Sequence, residues 1–200
     1  MVVIRRLQNN KKLQHMKVLF LDHDGVICLY TEWGSRFKNK EGLDSVFDRF
    51  NPKAIKVLNE IIEATDCEIV ISSDWRLIGT LAQMQELYKI RGVLKSPIDY
   101  TDVLRDDNMP VNFVWNRQWI NEQTRCVEIR KWVKDHPEIT NWAVVDDMNM
   151  TSDYHFKYDE WRASWGIENF VHTPISNEGI KQSGIKDKII KILNNDLTIS

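Results

Sequence analysis

The chain reads as an α/β fold built on a central, mainly parallel sheet. Three stretches predict it. Val18 to Ile27, VLFLDHDGVI, opens with an apolar run that ends in Asp22 and Asp24. Glu68 to Arg76, EIVISSDWR, and Trp142 to Asn149, WAVVDDMN, are two more apolar runs that end in hydroxyls and acids. All-apolar runs of this length suit strands buried on both faces of a parallel sheet. Open sheets of that kind bind ligands outside the carboxyl ends of their strands, which is where these polar residues fall.

The first strand starts just after Met16. Residues 1–16 carry Arg5, Arg6, Lys11 and Lys12 but no continuous apolar stretch of the signal-peptide kind, so they read as an N-terminal extension to one domain spanning 17–195. Cys28 to Phe50, with Trp33, Gly34 and Gly42, reads as a long loop or small insertion. Asn51 and Pro52 then supply an N-cap and a first helical residue, and Ile55, Leu58 and Ile62 recur at helical spacing through Thr65. This helix runs into the second strand, giving a unit for which parallel pairing and a right-handed crossover are the default. Leu77, Leu81, Met84 and Tyr88 mark another helix, ending near Gly92. From Val93 to Gln123 the pattern weakens: Pro97 and Pro110 interrupt short apolar groups, and Trp115 and Trp119 fall four apart. Thr124 starts a helix carrying Val127, Trp132 and Val133, which His136 and Pro137 stop before the third strand. Ile185 to Leu193 forms a final helix.

Two hundred residues with 42% hydrophobic and 28% charged content are enough for one substantial core. A net charge of -2 gives no global footprint for nucleic acid, yet leaves room for a local basic groove. Cys28, Cys67 and Cys126 are odd in number and widely spaced, with no CxxC or Cys/His cluster, which suits a reducing compartment. No run approaches membrane-spanning length, so a soluble, cytoplasmic protein is expected, with its oligomeric state open.

Asp22 and Asp24, one residue apart, repel each other unless a cation or a shared proton offsets the charge, and Gly25 allows a tight turn around them. The plainer alternative is a strand-end pair making turn hydrogen bonds. His23 has no Cys or His partner nearby and reads as a spacer.

Taken in order, DHDGV, ISSDWR, a basic residue at Arg125 within TRCVEIRKWVKDHP, and VVDDMN resemble the four motifs of the haloacid dehalogenase (HAD) superfamily of aspartate-nucleophile phosphatases. Within it they resemble the branch described as the HAD domain of Swiss Army Knife RNA repair proteins, to which FVHTPISNEGI near the end also corresponds. The resemblance implies a three-layer, Rossmann-like sandwich with a small cap or none. It implies a magnesium-dependent phosphomonoesterase in which Asp22 attacks phosphorus to form an aspartyl-phosphate, and Asp24 protonates the leaving alkoxide and later deprotonates water. Mg2+ would be held by Asp22, the Asp24 carbonyl and Asp146, with Asp147 a further ligand and Asn149 and Asp153 weaker candidates. Ser72, or its neighbour Ser73, would bind a phosphoryl oxygen. Arg125 stands where the superfamily more often has lysine, with Arg130 and Lys131 as alternatives. Arg76 is divided between touching substrate and a structural ion pair. Substrates consistent with the resemblance are a nucleotide, an RNA or DNA end, or a small phosphorylated metabolite. A non-catalytic binding module is the alternative. Trp33, Trp115, Trp119, Trp161 and Trp165 are candidates for base stacking as well as for ordinary packing.

Overall fold

The structure is a computed structural model that describes residues 16–29, 50–104, 117–151 and 166–195, with the backbone alone at 117–123. Its strands are β1 (Met16–Leu21), β2 (Glu68–Ile71), β3 (Asp99–Tyr100), β4 (Ile139–Asp146) and β5 (Phe170–His172). Its α-helices are α1 (Pro52–Thr65), α2 (Leu81–Ile90), α3 (Arg117–Asp135) and α4 (Ile185–Leu193).

The five strands form one sheet in the order β3-β2-β1-β4-β5, and every pairing is parallel. β1 is therefore central. The period-two alternation of a strand sorts its residues between two cores. Leu19 and Leu21 pack with Ala54, Leu58 and Ile61 of α1, Met84 and Tyr88 of α2, and Ile189 and Leu193 of α4. Val18 and Phe20 pack on the other face with Cys126, Ile129 and Trp132 of α3. Helices thus cover both faces, which is the three-layer α/β arrangement expected.

Local chemistry explains the boundaries. The Asn51 side chain accepts from Lys53 N at 3.0 Å and Ala54 N at 3.1 Å, Pro52 opens α1, and Asp66 ends it in the left-handed conformation. Thr80 and Gln83 close a reciprocal capping box at the start of α2. The expected helix from Leu77 is instead a short 3-10 turn, Asp74–Leu77, followed by α2. α3 begins at Arg117, seven positions before Thr124, and Met16 belongs to β1 rather than to the extension. β3 and β5 are strands the sequence did not announce. Among the described residues no helix is long and apolar enough to cross a membrane.

The order places the site. The chain steps outward from β1 to β2 and β3, then returns to the other side of β1 for β4 and β5. The carboxyl ends of β1 and β4 therefore flank the point where the winding reverses, where crevices open in such sheets.

Candidate active site

The ladder runs one residue past β1, β2, β3 and β5. Asp22 N–H donates to the Val145 carbonyl at 3.1 Å, Ser72 N–H to that of Leu21 at 3.0 Å, Thr101 N–H to that of Ile71 at 3.0 Å and Thr173 N–H to that of Asp146 at 2.9 Å. Four polar side chains are thereby fixed along one edge by backbone bonds, which is the rigid placement that chemistry needs.

Asp22, Asp146 and Asp147 each offer a carboxylate oxygen, and these oxygens all lie within 4.8 Å of one another. Asp146 ends β4 and Asp147 begins the bend after it, so adjacent residues that diverge along a strand converge here. Asp147 is held from behind: its carbonyl contacts His172 Nε2 at 2.9 Å, and Ser176 Oγ donates to its Oδ2 at 3.4 Å. Burial raises the pKa of Asp22 well above the ordinary carboxylate range, and Asp146 adds to the rise while Arg125 opposes it. Burial raises Asp146 too, and Asp147 is pushed up to about 6 by burial and by Asp146. Three carboxylates against one guanidinium leave a cluster short of positive charge, and that donor set suits a hard divalent cation.

Arg125 is the only cation seen among these acids in the described residues. Its Nη1 donates to Asp146 Oδ2 at 2.8 Å and lies 3.0 Å from Asp22 Oδ1, while its Nη2 reaches Asp74 Oδ1 at 3.1 Å. Burial works against its charge, but Asp146 and Asp22 outweigh burial and its pKa rises. The two alternatives for this place lie elsewhere: Arg130 donates to the Gly166 carbonyl, and Lys131 pairs with Asp102 and Asp135. Arg76 is bound within the fold, through Thr101 Oγ1 at 2.6 Å and Glu128 Oε2 at 2.5 Å.

The two serines differ. Ser73 Oγ caps the 3-10 turn, whereas Ser72 Oγ is buried and meets no partner among the described residues. An unmet buried hydroxyl costs about 1–3 kcal/mol, a cost a phosphoryl oxygen would relieve. Asp24 Oδ2 accepts from Trp75 Nε1 at 3.1 Å, a contact the sequence did not suggest. The His23 ring lies in the core: Nε2 contacts Tyr88 Oη at 2.7 Å, and burial followed by the Arg125 charge lowers its pKa to about 3. Asn149 folds its own turn by accepting from Thr151 N and Oγ1. Asp153, Trp33, Trp115, Trp161 and Trp165 lie outside the described residues, and at Trp119 only the backbone is described.

Gly25 and Gly179 close the site. Gly25 has φ +74°, and a Cβ there would come within 2.2 Å of Asp147 Oδ2. Gly179, with φ +54°, lets the late segment approach the first motif so that Ile180 N–H donates to the Val26 carbonyl at 2.9 Å. Ser176, His172 and Gly179 were visible only as members of FVHTPISNEGI, with no role attached. Gly25→Ala should strain the turn by about 1–3 kcal/mol and displace Asp147 from the cluster. Thermal melting with and without magnesium checks it: a variant that melts like the wild type and gains as much from the ion would contradict this placement.

A family model described as the HAD domain in Swiss Army Knife RNA repair proteins matches residues 18–182. Neither among curated proteins nor among solved structures does any match.

Proposed function

The chain belongs to the family of HAD domains found in Swiss Army Knife RNA repair proteins, and from that premise we propose that it is a magnesium-dependent phosphomonoesterase working through an aspartyl-phosphate on Asp22, on nucleotides or on RNA or DNA ends. Phosphatase-type hydrolysis is what the family as a whole suggests. The observation that carries the finer reading is the buried cluster at the reversal point of the sheet: Asp22 with Arg125, beside Asp146 and Asp147, and with the unmet Ser72 hydroxyl on the neighbouring strand end.

Asp22, Asp146 and Asp147 would hold the cation, which when bound neutralises charge on the phosphoryl oxygens. Ser72 binds one of those oxygens. Arg125 orients Asp22 and offsets the negative charge that builds as the phosphoryl group transfers. A carboxylate oxygen of Asp22 bonds to phosphorus as the bond to the leaving oxygen breaks, and Asp24 supplies the proton that turns the alkoxide into an alcohol. Asp24 then takes a proton from water, whose oxygen bonds to phosphorus and releases the Asp22 carboxylate and inorganic phosphate.

The testing experiment is a phosphate-release screen with magnesium over nucleoside monophosphates, sugar phosphates and 3'- or 5'-phosphorylated oligonucleotides, with Asp22→Asn as control. Release from oligonucleotide ends that vanishes in the control supports an end-processing enzyme. Release from sugar phosphates alone moves the substrate to small metabolites, and no control-sensitive release defeats the reading.

Magnesium should also raise the melting temperature, and more so as pH rises. Without the ion, Asp147 favours its neutral form in the folded state, with a pKa of about 6 against 3.8 for the ordinary group. Its contribution to stability is therefore present below pH 3.8 and lost as pH climbs through about 6, the range in which a cation that binds the carboxylate recovers most. Melting curves in magnesium and in chelator from pH 4 to 8 read this directly, and a gain that shrinks with pH would contradict it.

A further inference from the structure

We propose that Trp75 is a positioning residue for the acid–base step, and that its indole N–H selects which oxygen of Asp24 carries the transferred proton. The inference rests on the phosphatase reading above. Trp75 Nε1–H donates to Asp24 Oδ2 at 3.1 Å. An indole nitrogen donates and never accepts, so the oxygen facing it receives a hydrogen bond and does not carry a hydrogen of its own toward the indole. The carbonyl oxygen of a neutral carboxyl accepts better than its hydroxyl oxygen, so when Asp24 is the acid the indole favours the form that carries the proton on Oδ1. The same constraint keeps the carboxyl plane from rotating between the two half-reactions, in which one oxygen must first give a proton to the leaving alkoxide and then take one from water.

The indole is itself held. Trp75 is 3% exposed and sits in the 3-10 turn Asp74–Leu77, whose N-cap is Ser73. Its ring lies 4.7 Å from the His23 ring and 5.8 Å from Phe50, stacked on the latter, and His23 is tied to Tyr88 at 2.7 Å. The cluster joins the first-motif loop, the residue before the α1 cap, the turn after β2, and α2. Rotating the indole away from Asp24 would break packing contributed by all four. His23 is thereby part of what fixes the acid.

This assigns a task to the tryptophan of SSDWR that simple core packing does not require. A packing role predicts that its loss weakens everything alike, whereas a proton-positioning role predicts a loss that depends on how badly the leaving group needs a proton.

The test compares kcat/KM for 4-nitrophenyl phosphate, whose leaving phenolate departs without protonation, with kcat/KM for the alkyl phosphate that the wild type cleaves best in the release screen. This ratio reports only steps through leaving-group departure, so later hydrolysis of the aspartyl-phosphate does not enter. Trp75→Phe keeps a ring in the stack and deletes the donor. Its alkyl kcat/KM should fall at least about 10-fold more than its aryl kcat/KM. Tyr88→Phe, which removes the hydroxyl on His23 but keeps every ring of the cluster and the indole donor on Asp24, should leave the alkyl-to-aryl ratio where it is in the wild type. Equal losses on both substrates, or no loss, in Trp75→Phe overturn the proposal while leaving the phosphatase reading intact. No wild-type release of any alkyl phosphate ends that reading first, and this inference with it. Should Trp75→Phe not fold, the indole 15N–1H spectrum of the otherwise intact protein decides. The Trp75 resonance should move upfield in Asp24→Ala, and a spectrum in which no indole resonance moves overturns the proposal.

Discussion

Asp22→Asn is expected to lower magnesium-dependent phosphate release by on the order of 10³-fold or more while giving a folded protein at least as stable as the wild type in chelator. The loss of activity follows from chemistry: an amide of the same shape fills the same place but does not attack phosphorus. The stability follows from electrostatics. Burial and the Asp146 charge raise the pKa of Asp22 well above its ordinary value, so the ionised side chain disfavours the folded state. A raised folded pKa means that the group's contribution is full below about pH 3.8 and declines as pH rises, so the advantage of asparagine should widen toward neutral pH. Arg125 loses one partner in the variant but retains Asp146 and Asp74. Phosphate release and melting in chelator, measured together, test both halves. Near-wild-type release would remove Asp22 from the nucleophile's role, and a large drop in melting temperature would mean that its carboxylate holds the fold together.

The cost of burying these acids is also why they stood out in the sequence. Acids at the ends of apolar strands are expensive to keep, and a parallel sheet brings such ends to one edge, so Asp22 from the first run meets Asp146 and Asp147 from the third. α1 and α4 were legible to their ends, α1 because Asn51 and Pro52 mark its start and because the apolar positions keep one helical phase. Two- and three-residue strands such as β3 and β5 are too short to show a period, and 3-10 geometry is set by a local cap, so Leu77, the last residue of the 3-10 turn, passed for the start of the helix that begins at Leu81. The choice among Arg125, Arg130 and Lys131 depended on the phase of α3. The face carrying Arg125, Ile129 and Trp132 turns to the sheet, which puts the first guanidinium among the acids. The contacts of Trp75 with Asp24 and of Ser176 with Asp147 join residues 51 and 29 positions apart, and no local pattern encodes them.

Arg125→Met should be the most destabilising change at the site, costing about 3–5 kcal/mol at neutral pH, as expected when one partner is removed from a buried ion cluster. The side chains of Arg125, Asp22 and Asp146 are all less than a tenth exposed, so water does little to screen the acids left behind. Methionine fills much of the volume, which makes the loss one of charge rather than of packing. The cost should depend on pH in a definite direction. Asp22 and Asp146 already have folded pKa values above the unfolded one, with Arg125 opposing the rise, and its removal lets them climb further. The folded variant then retains protons that the unfolded chain releases, so its deficit against the wild type should be small near pH 4 and grow toward pH 8. Magnesium should recover more stability in the variant than in the wild type if the ion and the guanidinium offset the same charges. Arg125→Lys should recover part of the loss, since one ammonium restores the charge but does not span Asp22, Asp146 and Asp74 as the guanidinium fork does. Melting of the three proteins across this pH range, with and without magnesium, separates the cases. A deficit that is flat with pH would assign Arg125 to packing, and a lysine variant equal to the wild type would mean that the contact to Asp74 contributes nothing.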